Sequence, residues 1–350
     1  MTRRGRILQL VFFVAALVVM FWLLNKTGWS NIGHALMRVG PTGALILVAI
    51  GFAETILDTL AASIAIRQRR WGQVLVVNNA GALLNQILPF DLGEVVKGAL
   101  THRLFPKEET IAGTIVWNYV FKISRPLVIL TAALIGIVGS PHVDTKVRGL
   151  VLAGAFASFV PYLILRLVLR KGVAVLFVRL LRFVRILRND PSRILDKALT
   201  IDATVASFWR ERPGAFIAIL FVQIGARLVS WLNLFATLRL IGLPIGFMAC
   251  ALLYAAMNTA DLMITIIPAR LGVSEGAAFG IFKLIGLPPQ TGVIMYVVFR
   301  IKSLVTTGVL APFAFLRTRP MDAPAVTSPA GATTLVEPAL IPPGSSPPRR

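Results

Sequence analysis

The chain is poor in charge, in acid and in cysteine. Only 15% of its 350 residues are charged, against roughly 25% in a soluble domain. Fifteen acids face 36 lysines and arginines, a net charge of +21. The single cysteine, Cys250, excludes an intrachain disulfide and a cysteine-rich metal site. The three histidines, His34, His102 and His142, are scattered without metal-ligand spacing, so neither a metal nor a cofactor is expected. No Walker motif is present, which argues against ATP hydrolysis by this chain. No aromatic-basic pattern accompanies the positive charge, which argues against nucleic acid as a partner.

What is present is hydrophobicity. It reaches 56% of residues, with a mean hydropathy of +0.78. It comes in long runs, the first over 7–24 without a charge. About 20 apolar residues cross a hydrocarbon core of roughly 30 Å as a helix. Further through-spans are predicted at 42–66, 110–138, 150–169, 215–238 and 291–316. The N-terminal run follows Arg3, Arg4 and Arg6. It lacks a small-residue cleavage site after Leu24, so it reads as a retained span.

Positive charge sets the expected topology. The N-terminus, Arg67, Arg69, Arg70, the 166–212 loop and Arg317 are expected in the cytoplasm, which places both termini inside a cell (inner) membrane. The loop carries eleven cations against four acids, a net of +7. Within it, Arg179, Arg182 and Arg185 recur every three residues and share one helix face. Residues 171–188 read either as a helix lying on an anionic membrane surface or as an ordinary loop carrying topological charge. From 317 to 350 Pro, Ala, Ser and Thr dominate, the composition of a disordered cytoplasmic tail.

Two apolar stretches are interrupted. Residues 73–104 contain Asn78, Asn79, Asn85 and Gln86 and break at Pro89-Phe-Asp-Leu-Gly93-Glu94. Residues 245–287 contain Asn258 and Asp261 and break at Pro268-Ala-Arg-Leu-Gly272-Val-Ser-Glu275. Irregular backbone at membrane depth must line a cavity or protein, so each stretch is read as a re-entrant hairpin of two half-helices. The breaks share a Pro-x-x-Leu-Gly pattern followed by an acid. Each is followed by a similar span, with Val120-Phe-Lys-Ile123 matching Val298-Phe-Arg-Ile301. The expectation is an all-α, polytopic transmembrane helix bundle with an inverted repeat and two re-entrant broken-helix hairpins. The transmembrane domain covers 1–316, with repeats at about 42–138 and 215–316. Chance resemblance between apolar sequences is the alternative.

Asn85-Gln-Ile-Leu-Pro89-Phe-Asp-Leu-Gly93-Glu94-Val-Val-Lys97 resembles the Asn…Leu-Pro…Gly-Glu…Arg motif of the flippase-like family, whose best known member is the membrane region of lysylphosphatidylglycerol synthase. Pro268…Leu-Gly272-Val-Ser-Glu275 resembles its Pro-Gly-Gly-Leu-Gly-x-x-Glu motif, and Phe299-Arg300 its late Tyr-Arg. The resemblance covers about residues 5–316. Lys97 stands for the usual Arg, Ala269-Arg270 replace the paired glycines, and Asn118 and Lys122 stand near a usual Asp-Arg pair. The resemblance implies a stand-alone membrane region, since 34 polar residues follow the last span where the full synthases carry an aminoacyl-transferase domain.

A charge at the bilayer centre costs at least about 2.5–3.5 kcal/mol, so it must be paired or useful. Asn85, Glu94, Lys97, Lys122, Arg125, Arg270, Glu275 and Arg300 are candidate headgroup ligands, with Pro89, Gly93, Pro268 and Gly272 forming the helix breaks. Arginine suits a phosphate because its planar fork binds two oxygens. Glu54 and Asp58, four residues apart, form a buried acidic pair whose cationic partner is expected to be Lys122 or Arg125. Glu54 and Asp58 read equally as internal salt-bridge residues, whereas Glu94, Lys97, Arg270, Glu275 and Arg300, at or near the breaks, read first as ligands with salt bridges as the alternative. The leading expectation is a translocase for a membrane lipid with an anionic or phosphate-bearing headgroup. A lipid transferase, a membrane partner for a cytoplasmic biosynthetic enzyme and an ion-coupled solute transporter are the alternatives. No nucleophile–base pair appears, so an enzyme is not expected.

Overall fold

The Gly40-Pro41 pair sets the first departure from a simple run of spans. Proline disfavours helical backbone in the residue before it, and Gly40 takes φ 58°, ψ −179° there. The helix continues on both sides as α1, Trp29–Ile66. Residues 29–39, which hydropathy alone leaves outside a span, are helical and meet the longer segment at this kink. Arg38 in that segment donates to the Ile241 carbonyl at 3.3 Å and ties it to the distant end of another span.

In this computed structural model, residues 20–87, 92–105, 108–163, 210–264 and 272–317 are described, with Val18 and scattered positions between 199 and 208. Residues 1–318 form one compact unit. Pro89, Pro268 and Arg270, most of the 7–24 run, the 171–188 segment and the tail after Thr318 lie outside the described residues. Glu94 is placed in a helix, but its side chain is not described.

After α1 come α2 (Trp71–Ile87), α3 (Leu92–Leu104), α4 (Glu108–Gly139), α5 (Thr145–Ala157), α6 (Pro213–Leu240), α7 (Phe247–Ile264), α8 (Val273–Ile285) and α9 (Pro289–Arg317). Local sequence sets several ends. Asp144 accepts from the Lys146 amide at 2.7 Å and caps α5. Pro213 opens α6, where its missing N–H costs nothing. Gly286, at φ 81°, closes α8 in the left-handed region.

Five helical segments among the described residues are long and apolar enough to cross a membrane: Trp29–Ile66, Ala112–Gly139, Thr145–Leu163, Pro213–Leu240 and Pro289–Val309. They overlap five of the six through-spans predicted from hydropathy, the first beginning 13 residues earlier than predicted. The sixth, over 7–24, lies mostly outside the described residues. The two interrupted stretches are helix pairs, α2 packed on α3 and α7 packed on α8.

Small residues bring the helices together, as they do where apolar tails give no preference for helix over lipid. A side chain at Gly136 of α4 would meet the backbone of Leu252 in α7. One at Gly113 would meet the Ala65 carbonyl in α1, and one at Gly292 the Ala278 backbone in α8. The neighbours follow a pattern. Packed pairs α1–α2, α2–α3, α3–α4, α1–α4, α4–α7 and α4–α6 have counterparts α6–α7, α7–α8, α8–α9, α6–α9, α9–α2 and α9–α1. Exchanging α1–α4 for α6–α9 thus returns the same set of pairs, and α1–α6 returns itself. Among the described helices, α5, packed on α4 and α7, has no counterpart.

Candidate functional site

Two apolar cores form along these helices. One contains Leu47 of α1, Ile129 of α4 and Leu234 of α6, together with most of α7. The other contains Ala61 and Ile66 of α1, Val116 and Val120 of α4, and Ile219 of α6. On each of those three helices the two cores are separated by a short stretch, and the charged residues fall in it. Glu54 and Asp58 lie between Leu47 and Ala61, Lys122 and Arg125 between Val120 and Val128, and Arg227 between Ile219 and Trp231. Arg227 is also central in its helix, the fifteenth of 28 residues in α6. At 1.5 Å per residue it stands roughly 20 Å from either helix end.

The first half of this polar layer centres on Arg227. Its Nη2 donates to both carboxylate oxygens of Asp58, at 3.1 and 3.2 Å. Its Nη1 lies 3.8 Å from Glu54. The guanidinium stacks over the Phe121 ring at 4.8 Å, a cation–π contact. Tyr254 donates its hydroxyl proton to the Arg227 carbonyl at 3.2 Å. The acidic pair thus has its cation on α6, a correction to the expected Lys122 or Arg125. Lys122 is exposed on the bundle surface, and Arg125 faces α7 instead. The pair is only partly buried, with side chains 21% and 20% exposed.

Gln223, one turn before Arg227, extends this group. With its amide oriented to satisfy its neighbours, its nitrogen donates to Asp58 at 3.1 Å, and its oxygen accepts from the Trp117 indole N–H at 2.9 Å. Trp117 in turn lies under Lys97, whose Nζ is 4.3 Å from the ring centroid. Lys97 is 6% exposed. It shares with Asn78, Thr101, Thr114 and Trp117 a small cavity with room for a water-sized group. Asn78 donates to Thr59 at 3.3 Å. In this conformation the predicted headgroup cation Lys97 is packed into protein. Asn85 and Gly93 meet where α2 crosses α3, and a side chain at Gly93 would strike the Gly81 carbonyl and the Asn85 amide. Close backbone approach is thus what requires glycine there. Trp117→Phe keeps the ring under Lys97 but removes the donor to Gln223. A loss of about 1–2 kcal/mol in unfolding free energy in detergent is expected, the cost of stranding one buried acceptor.

The second half joins α4, α7, α8 and α9. Arg125 donates to Asn258 at 3.4 Å and stands 4.0 Å from Asp261. Tyr296 donates to Asp261 at 2.8 Å. Arg300 Nε donates to Glu275 at 2.6 Å. Glu275, in the first turn of α8, is 1% exposed. Predicted ligands Arg125, Glu275 and Arg300 are therefore brought into one layer, and Lys122 is placed at its rim. Asp261 joined no predicted site, and Arg227, Gln223, Tyr254, Trp117 and Tyr296 were not read as ligands. For Gln223 a signal existed, an amide four residues before Arg227 in an otherwise apolar run.

A family model for the lysylphosphatidylglycerol synthase TM region matches residues 6–311. The chain belongs to that family. The family match agrees with the resemblance carried by the Asn85–Lys97 and Pro268–Glu275 motifs, and with multi-pass membrane residence and a lipid-related role. No curated protein and no solved structure matches the chain. Among the described residues no group of three His, Cys, Asp or Glu side chains is placed to hold a metal.

Proposed function

We propose that this member of the family is a lipid translocase, not an enzyme, which passes a lipid with a phosphate-bearing headgroup between the leaflets of the cell (inner) membrane. The carrying observation is the charge set between two apolar cores at mid-span on α1, α4 and α6, with the Glu275–Arg300 pair beside it. Lipid tails need no path, since they remain in hydrocarbon. A headgroup does, and its barrier is the bilayer centre, where isolated charge is most costly. Arginines held by carboxylates at that depth supply oxygen-binding donors without adding net charge. The self-mapping set of helix pairs supports an inverted repeat, the arrangement in which transporters place their sites at the repeat interface. In that arrangement α2–α3 and α7–α8 are hairpins entering from opposite faces, with both termini in the cytoplasm. The basic loop over 166–212 then faces anionic lipid, or a cytoplasmic enzyme that supplies the lipid.

Reconstitution tests the proposal. Purified protein in liposomes bearing a labelled phospholipid is expected to carry inner-leaflet label outward, read by chemical quenching from outside. Arg125→Gln removes one phosphate-binding fork and is expected to slow this by about tenfold. Liposomes that behave as if empty, with phospholipid and with polyprenyl-phosphate lipid alike, would sink the proposal.

A further inference from the structure

The two acids of α1 are not held alike. Asp58 accepts from the Arg227 guanidinium at 3.1 and 3.2 Å and from the Gln223 amide at 3.1 Å. Glu54, one turn earlier, stands 3.8 Å from Arg227 Nη1, and among the described residues no group donates a hydrogen bond to it. A second cation approaches Glu54 from α9. The Lys302 stem crosses α1 at Gly51, where a Cβ would stand 3.5 Å from its Cδ and Cε. The ammonium lies 5.8 Å from the Phe299 ring centroid, within electrostatic reach of Glu54. The remaining neighbours of α1 are uncharged or engaged elsewhere. Helix α2 holds no ionisable residue. On α4, Arg125 is directed to Asn258 and Asp261, and Lys122 is exposed. On α9, Arg300 is held by Glu275. From α7, the Tyr254 hydroxyl is donated to the Arg227 carbonyl.

Glu54 and Asp58 therefore balance Arg227 and Lys302, and the group is neutral. A phosphate anion drawn into it at mid-span leaves one negative charge uncompensated, which the bilayer centre penalises. A proton on either carboxylate removes that charge. Asp58 would give up charge-assisted hydrogen bonds to take it, whereas Glu54 has none to lose. We propose that Glu54 is a proton-binding site that couples lipid movement to a proton gradient. One proton joins a Glu54 carboxylate oxygen on the side where the anionic headgroup enters and leaves on the side where the headgroup leaves. Proton and lipid travel in the same direction, and a singly charged lipid carries no net charge across. Protonation also ends the attraction between α1 and Lys302 of α9, helices of opposite halves, and leaves the Asp58–Arg227 pair in place. This rests on the translocase reading of the same layer and adds its energy source.

The test uses full-length protein in liposomes with fluorescent phosphatidylglycerol, which carries one negative charge, and protein-free liposomes as the baseline. A gradient of one pH unit is imposed, and the leaflet distribution is read by chemical quenching from outside. The wild type is expected to concentrate label in the leaflet facing the alkaline side by up to about tenfold, the equivalent of one proton per pH unit. Without a gradient an even distribution is expected. Glu54→Gln cannot ionise and is expected to make the distribution indifferent to the gradient. Glu54→Gln with Lys302→Met restores a neutral group. It is expected to move label without responding to the gradient, which covers a single variant that folds poorly. Glu54→Asp keeps an ionisable carboxylate and is expected to keep the response. Label that the wild type moves but distributes evenly under the gradient overturns this inference alone. So does a response that survives in either glutamine variant, or label that neither of them moves. A wild type that moves no label under any gradient sinks the translocase reading as well.

Discussion

Arg227→Met is expected to cost the bundle about 3–5 kcal/mol, the usual penalty for removing one member of a buried ion group. The side chain it replaces is 11% exposed and holds Asp58 at 3.1 Å and Glu54 at 3.8 Å. Without it two carboxylates face each other across one helical turn at mid-span, with Gln223 as a remaining donor to Asp58. The Phe121 ring also loses its cation. Methionine keeps most of the length of the arginine stem, so lost packing contributes little. The measurement is equilibrium unfolding in mixed detergent micelles, followed by helical circular dichroism. A compensated variant separates charge from shape. Glu54→Gln, Asp58→Asn and Arg227→Met together remove the acids with their arginine, leave Lys302 as the nearby charge, and are expected to recover part of the loss, since replacing a buried ion group is often neutral. An Arg227→Met protein as stable as the wild type would show that the three charges are not coupled.

Gly136→Ala should be nearly as damaging, by about 3 kcal/mol, the upper end for overpacking. A Cβ at this position would strike the amide nitrogen and Cα of Leu252, and helix backbone cannot swing aside as a flexible side chain does. Gly139, one turn on, is similarly close to Met248, so the α4–α7 contact cannot tilt to make room. Gly149→Ala is the control. Its Cβ would meet nothing within 4 Å, and a change within about 0.5 kcal/mol is expected. Both variants are read by the same unfolding experiment. Equal stability of the two would mean that α4 and α7 are free to separate.

Hydropathy made the spans legible because lipid allows no alternative: a helix facing hydrocarbon must be apolar through its length. The same uniformity hides rotation. A helix apolar all round does not reveal which face meets which neighbour, and so Glu54 and Asp58 were matched to cations on the wrong helix. Their partner lies 169 residues from Asp58. The charge at 227 was visible as an interruption, but its pairing depends on α1 lying beside α6, which no local pattern encodes. Residues 29–39 went unread for a different reason. Gly33, His34 and Arg38 depress hydropathy there, while the backbone needs only tolerance for helix. The motif residues fared better: Glu275 and Arg300, named from a pattern alone, meet at 2.6 Å. Tyr254, Tyr296 and Trp117 were silent because an aromatic residue in an apolar run looks like packing until its polar atom is placed.

The α1–α6 pair carries a historical consequence. Among the closely packed pairs of described helices, it is the one that the exchange of α1–α4 for α6–α9 maps onto itself. Had two identical half-length chains once assembled this way about a two-fold axis, each residue on that axis would have met its own copy, acid against acid or arginine against arginine. The present contact places acids on α1 and a cation on α6. Off the axis, two identical chains would make such a match twice, whereas the present contact makes it once, with acids on α1 and a cation on α6. At this contact the two halves are therefore not interchangeable.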